Sequence, residues 1–430
     1  MSADQPPGSL AEVSHATRRL NVHAFLDRLE ERFAQCEPVI HAFVPEEGRF
    51  ARLHREADAL LAAYPRLDRR PPLFGVPVGI KDVFHVDGFP TSAGSRLPPE
   101  TLRGPEAEVV SALRQKGALI LGKTVSTEFA YFAPGPTRNP RNPEHTPGGS
   151  SSGSAAAVAA QLCPLAFGTQ TIGSVIRPAA FCGVVGFKPS YGRISAKGLI
   201  PLAPSLDHVG FFTVDVESAA VAVMTLGKDW LPGFSSRWPV LGIPEGPYLS
   251  HASDEMLEHF RDTCDWLSGR YRVRSIPAMP DFDKIVARHH RLTAAEAAKV
   301  HAEWFPAFRE LYAPQTVELI ERGQQVTAGQ LARDRGARKR LRDQLCDLMD
   351  EKRIDLWLSP AAPGPAPHGL DSTGSPVMNI PWTQAGLPTL TIPSGTSKNG
   401  LPMGLQITGR WWEDPELLDW SKEIARVVAL

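Results

Sequence analysis

Positions 148–154 read Gly148-Gly149-Ser150-Ser151-Ser152-Gly153-Ser154 and run directly into Ala155-Ala156-Ala157-Val158-Ala159-Ala160. A Gly/Ser run is ordinarily a flexible linker. Here apolar sequence lies on both sides, which argues for a backbone packed inside the protein. The alanines predict a helix whose small side chains permit close approach. A second tight segment follows at Gly168-Thr169-Gln170-Thr171-Ile172-Gly173-Ser174. Two glycine-lined serines, Ser150 and Ser174, suggest a backbone built to surround a reacting oxygen. A phosphate loop does not fit, because no Gly-Lys-Ser/Thr follows and the spacing is not that of a dinucleotide fingerprint.

The rest of the chain predicts an α/β fold. Val22, Phe25, Leu26, Leu29 and Phe33 place an amphipathic helix over 20–35, and another covers 50–63. Val76 to Ile80 form a short apolar strand ending in Lys81-Asp82. A helix over 106–116 then leads into a buried strand over 117–123. Helix followed by short apolar strand is the rhythm of an α/β sheet. Short strands and turns are expected over 182–202, including Gly198-Leu199-Ile200. From about 252 to 352 the pattern is helical and more polar, with Leu341, Leu345 and Leu348 on one face. The basic residues of 333–342 read as a solvated helix face with i,i+4 pairs rather than an anion site. Strands return at 355–360 and 388–393, and a last helix lies near 413–428. No repeat or linker divides the chain, so one large domain with a helical insertion is expected.

Composition narrows the classes. The 430 residues carry a net charge of −1, which gives no footprint for nucleic acid or anionic membrane. No apolar run reaches membrane-spanning length, and the first residues lack the pattern of a secretory signal. The five cysteines are scattered and free of CxxC spacing, as expected for reduced thiols in a cytoplasmic protein.

A serine hydroxyl is a poor nucleophile until a base removes its proton. None of the 13 histidines sits in a local hydrolase signature, and neither GxSxG nor HExxH occurs. A neutral lysine is another such base. Lys81 follows an apolar run, and burial would lower its pKa. Taken alone, Lys81 reads rather as a strand-end lysine reaching solvent or pairing with Asp82. Ser174 follows Thr171, Ile172 and Gly173, whose turn could aim several N–H groups at one anion. Taken alone, it reads rather as an ordinary serine in a glycine-containing turn.

These segments, in this order, resemble the amidase signature family. The resemblance runs from Gly75-Val76-Pro77-Val78-Gly79-Ile80-Lys81-Asp82 through Gly148-Gly149-Ser150-Ser151 and Gly173-Ser174 to Pro178-Ala179-Ala180-Phe181-Cys182-Gly183 and Gly186-Phe187-Lys188-Pro189. It continues over Tyr191-Gly192-Arg193-Ile194-Ser195, Ser205-Leu206-Asp207-His208-Val209-Gly210 and the tail from Gly386-Leu387-Pro388 to Gly409. It covers about 70–210 and 355–425 and is weak between about 230 and 350. It implies a single α/β/α domain over 1–430, with a central mixed twisted sheet flanked by helices, N-terminal helices at about 10–65 and a helical substrate-side insertion at about 230–350.

The resemblance also implies a Ser-cisSer-Lys triad. Ser174 is the implied nucleophile, Ser150 the bridging serine after a cis peptide bond, and Lys81 the base. The backbone N–H groups of Thr171, Ile172, Gly173 and Ser174 form the implied oxyanion hole, with Gly149, Ser151, Gln170 and Arg177 in support. No metal or organic cofactor is implied. Three departures stand out: Gln170 where the family commonly has Asp, Ile172 where it has Gly, and Arg177 one position late, after Val175-Ile176. The expected function is hydrolysis of a small amide, anilide or carbamate by a monomer or homodimer, without nucleic acid or membrane. A glutaminase-type subunit of a tRNA-dependent amidotransferase and a non-catalytic scaffold are the alternatives. Trp304, Phe305, Phe308 and Tyr312 either line the entrance or belong to the core.

Overall fold

The computed structural model describes residues 8–19, 21–226, 230 and 237–429. Ten strands form one sheet: β1 Pro77–Lys81, β2 Leu119–Thr124, β3 Leu165–Gln170, β4 Val185–Lys188, β5 His208–Thr213, β6 Val240–Glu245, β7 Arg272–Pro277, β8 Leu356–Pro360, β9 Thr389–Thr396 and β10 Pro402–Thr408. Their spatial order is β2-β1-β3-β5-β4-β9-β10-β8-β6-β7. Pairing is parallel at both ends, among β2, β1 and β3 and among β8, β6 and β7. It is antiparallel through the middle. Helices flank this mixed sheet, as expected from the sequence.

The central strands read as apolar runs because both their faces are covered. Phe167 of β3, Phe211 of β5 and Phe187 of β4 pack ring against ring at 5.6 and 5.5 Å. The helix Ser152–Ala159 packs on β1, β2, β3 and β5, and the helix Ile176–Cys182 packs on β4, β9 and β10. Residues Ser152 to Val158 are all buried, so that helix has no polar face to offer water. Its Ser and Ala side chains make the close approach possible. At Gly153 the approach is limiting, since a Cβ would stand 2.1 Å from the Ala42 carbonyl oxygen and 2.4 Å from the Val125 nitrogen.

Several elements differ from the sequence expectation. The first long helix runs Val22–Ile40, because the Asn21 side chain accepts the His23 and Ala24 N–H groups at its start and the left-handed His41 ends it. Gly198-Leu199-Ile200 is not a strand; Leu199 makes only an isolated bridge to Phe84. The strand β7 lies inside the stretch expected to be helical. Its sequence, Arg-Val-Arg-Ser-Ile-Pro, carries the charges of an exposed sheet edge and so lacks an apolar signature. The strands β3 and β5 and the helix Ile176–Cys182 were hidden within glycine-rich motif segments. The basic run on the helix Ala328–Lys352 also departs from a purely solvated face. Lys339 and Asp343 form an i,i+4 pair, but Arg335 reaches Glu296, Arg338 lies 4.4 Å over the Tyr191 ring and Arg342 lies 4.0 Å over Trp411. All five cysteines are free thiols.

The contact at Gly153 makes a direct test of this packing. Gly153→Ala forces a methyl group against backbone that cannot rotate away. Equilibrium urea unfolding should show a loss of about 1–3 kcal/mol, and an unchanged midpoint would contradict the described packing.

Candidate active site

Lys81 ends β1 between its two neighbours, β2 and β3, and is fully buried. Its Nζ lies 2.7 Å from Ser150 Oγ and 2.8 Å from Thr169 Oγ1. Burial draws the amine down to about 7, opposed only by the more distant charge of Asp207. The two simpler readings of Lys81 both fail. It does not reach solvent, and Asp82 pairs instead with Lys123 Nζ at 2.7 Å. An ammonium needs counter-charge or water when it is buried. Two hydroxyls supply neither, so the site favours the neutral amine.

Ser150 is held from both sides. The Gly149–Ser150 peptide bond is cis. The Gly149 carbonyl accepts from Arg177 Nη2 at 2.6 Å, and the Ser150 carbonyl accepts from the Thr127 N–H at 3.2 Å. Ser151 Oγ bonds the Thr169 carbonyl and N–H, both at 3.2 Å, which ties the Gly/Ser run to β3 beside Lys81. The fully buried Arg177 also donates to the Gly374 carbonyl at 2.7 Å and Thr373 Oγ1 at 3.1 Å. All three acceptors are uncharged, and burial pulls the guanidinium down to about 9.

Gln170 is not a loss of support. Its Oε1 accepts the N–H groups of Val175 and Ile176 at 2.8 and 2.9 Å, and its Nε2 donates to Thr383 Oγ1 at 2.9 Å. An amide thus braces the turn before the helix Ile176–Cys182 without a carboxylate.

Ser174 sits in that turn, 6% exposed, and its hydroxyl has no hydrogen-bond partner among the described residues. The N–H groups of Thr171, Ile172, Gly173 and Ser174 likewise have no acceptor among the described residues. The carbonyls of the same loop are occupied. Thr171 O accepts from His289 Nε2 at 3.0 Å, Ile172 O from Thr383 Oγ1 at 2.7 Å and Gly173 O from the Arg177 N–H at 3.1 Å. Thr171 Oγ1 donates to Asp207 Oδ1 at 2.5 Å. The loop closes tightly on its surroundings: a Cβ on Gly173 would lie 2.2 Å from Asn379 Oδ1. Such a run of free N–H groups, with its carbonyls tied elsewhere, can hold an anion.

The structure therefore gathers Lys81, Ser150, Gly149, Ser151, Gln170 and Arg177 with the Ser174 turn. Thr169, His289, Thr373 and Thr383 complete these contacts and were not singled out from sequence. Thr169 stood inside the quoted motif. His289 and Thr383 carried no local signal, because they arrive from the helices Phe282–Val300 and Ile380–Ala385. Among the aromatics, Phe305 and Tyr312 belong to the core, while Trp304 and Phe308 are partly buried against it. Tyr312 and Trp304 stack with Phe129, two residues beyond Thr127. Among the described residues, no group of three or more His, Cys, Asp or Glu side chains is placed to hold a metal, and no helix is long and apolar enough to cross a membrane.

Comparison with known proteins places the chain in a family. The amidase family model matches residues 21–418. The chain belongs to the amidase family and is an amide-cleaving enzyme of that class. It is 32% identical to the A-type subunit of glutamyl-tRNA(Gln) amidotransferase from Synechococcus sp. (strain WH7803), over 94% of this chain and 93% of that relative. It is 34% identical to the corresponding subunit from Thermus thermophilus, over 92% of this chain and 90% of that relative. A crystal structure of an amidase superposes with a TM-score of 0.87 at 32% identity, covering 98% of this chain and 99% of the other.

The brace at Gln170 is testable. Gln170→Leu strands two buried N–H groups and should cost about 2–4 kcal/mol in urea unfolding. Gln170→Glu keeps the acceptor and should cost less than half as much. Equal losses would show that acceptance by Oε1 is not what holds the turn.

Proposed function

We propose that this chain cleaves amide bonds through an acyl-enzyme on Ser174. The observation that carries the proposal is the burial of Lys81 against Ser150 and Thr169 with no carboxylate on its nitrogen. When a substrate carbonyl docks, the Ser174 hydroxyl turns onto Ser150 Oγ. The Ser174 proton passes to Ser150 as the Ser150 proton passes to neutral Lys81 Nζ. Ser174 Oγ bonds the carbonyl carbon, and the electron pair of the carbonyl moves onto its oxygen. The N–H groups of Thr171 to Ser174 stabilise that oxyanion. The C–N bond then breaks while the proton returns through Ser150 to the leaving nitrogen. Water attacks the ester by the same relay, releasing the acid and restoring Ser174. Presence of all three residues argues against a non-catalytic scaffold.

For the amide itself, the curated relatives weigh toward the second expectation over the first. Their name supports a glutaminase-type subunit that works with partner proteins in tRNA-dependent amidation. The other expectation is a free-standing hydrolase of small amides, anilides or carbamates, and the superposed amidase, matched end to end, supports its amide part. Purified chain should be assayed with glutamine, primary amides, anilides and aryl carbamates, alone and with candidate partner subunits and ATP. Glutamine hydrolysis that depends on the partners supports the amidotransferase reading. Efficient turnover of carbamates or anilides by the chain alone contradicts it.

The relay has its own signature. Because the amine must be neutral, acylation should rise about tenfold per pH unit below about 7 and level off above it. Ser174→Ala and Lys81→Ala should each lower kcat at least about 1,000-fold. Retention of activity in Ser174→Ala, or a rate that falls as pH rises through 7, would contradict the mechanism.

A further inference from the structure

We infer that His289 is a positioning residue for the oxyanion site, aiming the Ile172 N–H by holding the carbonyl at the other side of the same peptide unit. The inference rests on the serine mechanism proposed above. A trans peptide unit is planar, and its C=O and N–H point in opposite directions. The Thr171–Ile172 bond is trans, Gly149–Ser150 being the cis bond of the described residues. Whatever fixes Thr171 O therefore fixes the direction of Ile172 N–H.

His289 is suited to this task. A carbonyl only accepts, so the contact to Thr171 O requires the proton on Nε2. That leaves Nδ1 bare, and it is buried without a partner. The ring is fully buried in the helix Phe282–Val300. Burial, with His290 and Arg338 nearby, pushes the imidazole down to about 3. The donor stays neutral and in one tautomer wherever Lys81 is active, so the peptide keeps its aim as pH varies.

The next two units are held in the same way. The single Thr383 hydroxyl proton has Ile172 O at 2.7 Å and Asn379 O at 3.0 Å, and the shorter contact takes it. That contact sets Gly173 N–H. The Arg177 N–H on Gly173 O sets Ser174 N–H. His289 differs from the other two in origin. It comes from the long helix Phe282–Val300, more than 100 residues along the chain from the loop it holds.

The test uses substitutions that move or remove one N–H donor. Glutamine at 289 carries an amide nitrogen where Nε2 stands, asparagine carries it near Nδ1, and leucine carries none. The readouts are the rate of Ser174 labelling by a fluorophosphonate, kcat and KM for p-nitrophenyl acetate, and the melting curve. His289→Leu and His289→Asn should slow labelling and kcat by about 10–100-fold with KM within about threefold. His289→Gln should return both rates to within about threefold of wild type. Gln and Leu variants of equal rate, or a Leu variant as fast as wild type, would overturn the role. If the Leu and Asn variants fail to fold, Thr383→Val against Thr383→Ser asks the same of the next peptide unit. Val slow and Ser near wild type supports clamping through carbonyls, and equal rates overturn it. Wild-type protein that is never labelled at Ser174 would instead sink the serine mechanism itself, and this role with it.

Discussion

An amine with nowhere to leave its charge is the constraint on which the site depends. Lys81 is walled in by strands and meets two hydroxyls. Lys123 and Lys188 are buried too, and they show why partners matter more than depth. Lys123 pairs with Asp82, which compensates its charge. Lys188 is drawn down to about 7 like Lys81, yet its Nζ faces the carbonyls of Pro189 and Leu387 at 3.2 and 2.5 Å. Carbonyls have no proton to give, so Lys188 serves only as a donor. Lys81 faces Ser150, which can surrender a proton and take another. The same desolvation yields a strut in one place and, in the proposed mechanism, a base in the other.

Around that amine the structure directs polar groups to backbone rather than to charge. Arg177 neutralises nothing. It gathers the Gly149 and Gly374 carbonyls and Thr373, and so joins the Gly/Ser run to the loop between β8 and the helix Ile380–Ala385. Gln170, Thr383 and His289 act on the Ser174 turn in the same manner. These three hold the loop with uncharged donors and acceptors, and the carboxylate that touches it, Asp207, bonds the Thr171 hydroxyl rather than Lys81. This also accounts for how Gln170 serves where the resemblance leads one to expect Asp. The two N–H groups of Val175 and Ile176 need an acceptor, and an amide oxygen is one.

Much of this was legible in the sequence, and the reasons are local. Gly148 to Ser154 and Gly168 to Ser174 announce tight backbone, and an apolar run ending in Lys81 announces a buried amine. The strands β1 and β2 and the major helices follow from periodicity. What stayed hidden depends on long-range contact. Nothing near Thr383 or His289 indicates that each would cap a peptide in the 171–173 loop. The partner of Asp82 was legible only once β1 and β2 lay side by side, which brings Lys123 beside Ile80 and Asp82. The strand β7 was missed because an exposed edge carries charges at the positions that reveal a buried strand.

The central claim, that Lys81 is a neutral amine near physiological pH, is best tested by NMR titration of lysine ε-13C-labelled protein. Two buried amines should titrate near pH 7, one lost on Lys81→Met and the other on Lys188→Met. A Lys81 resonance that stays protonated to above pH 9 would contradict the account.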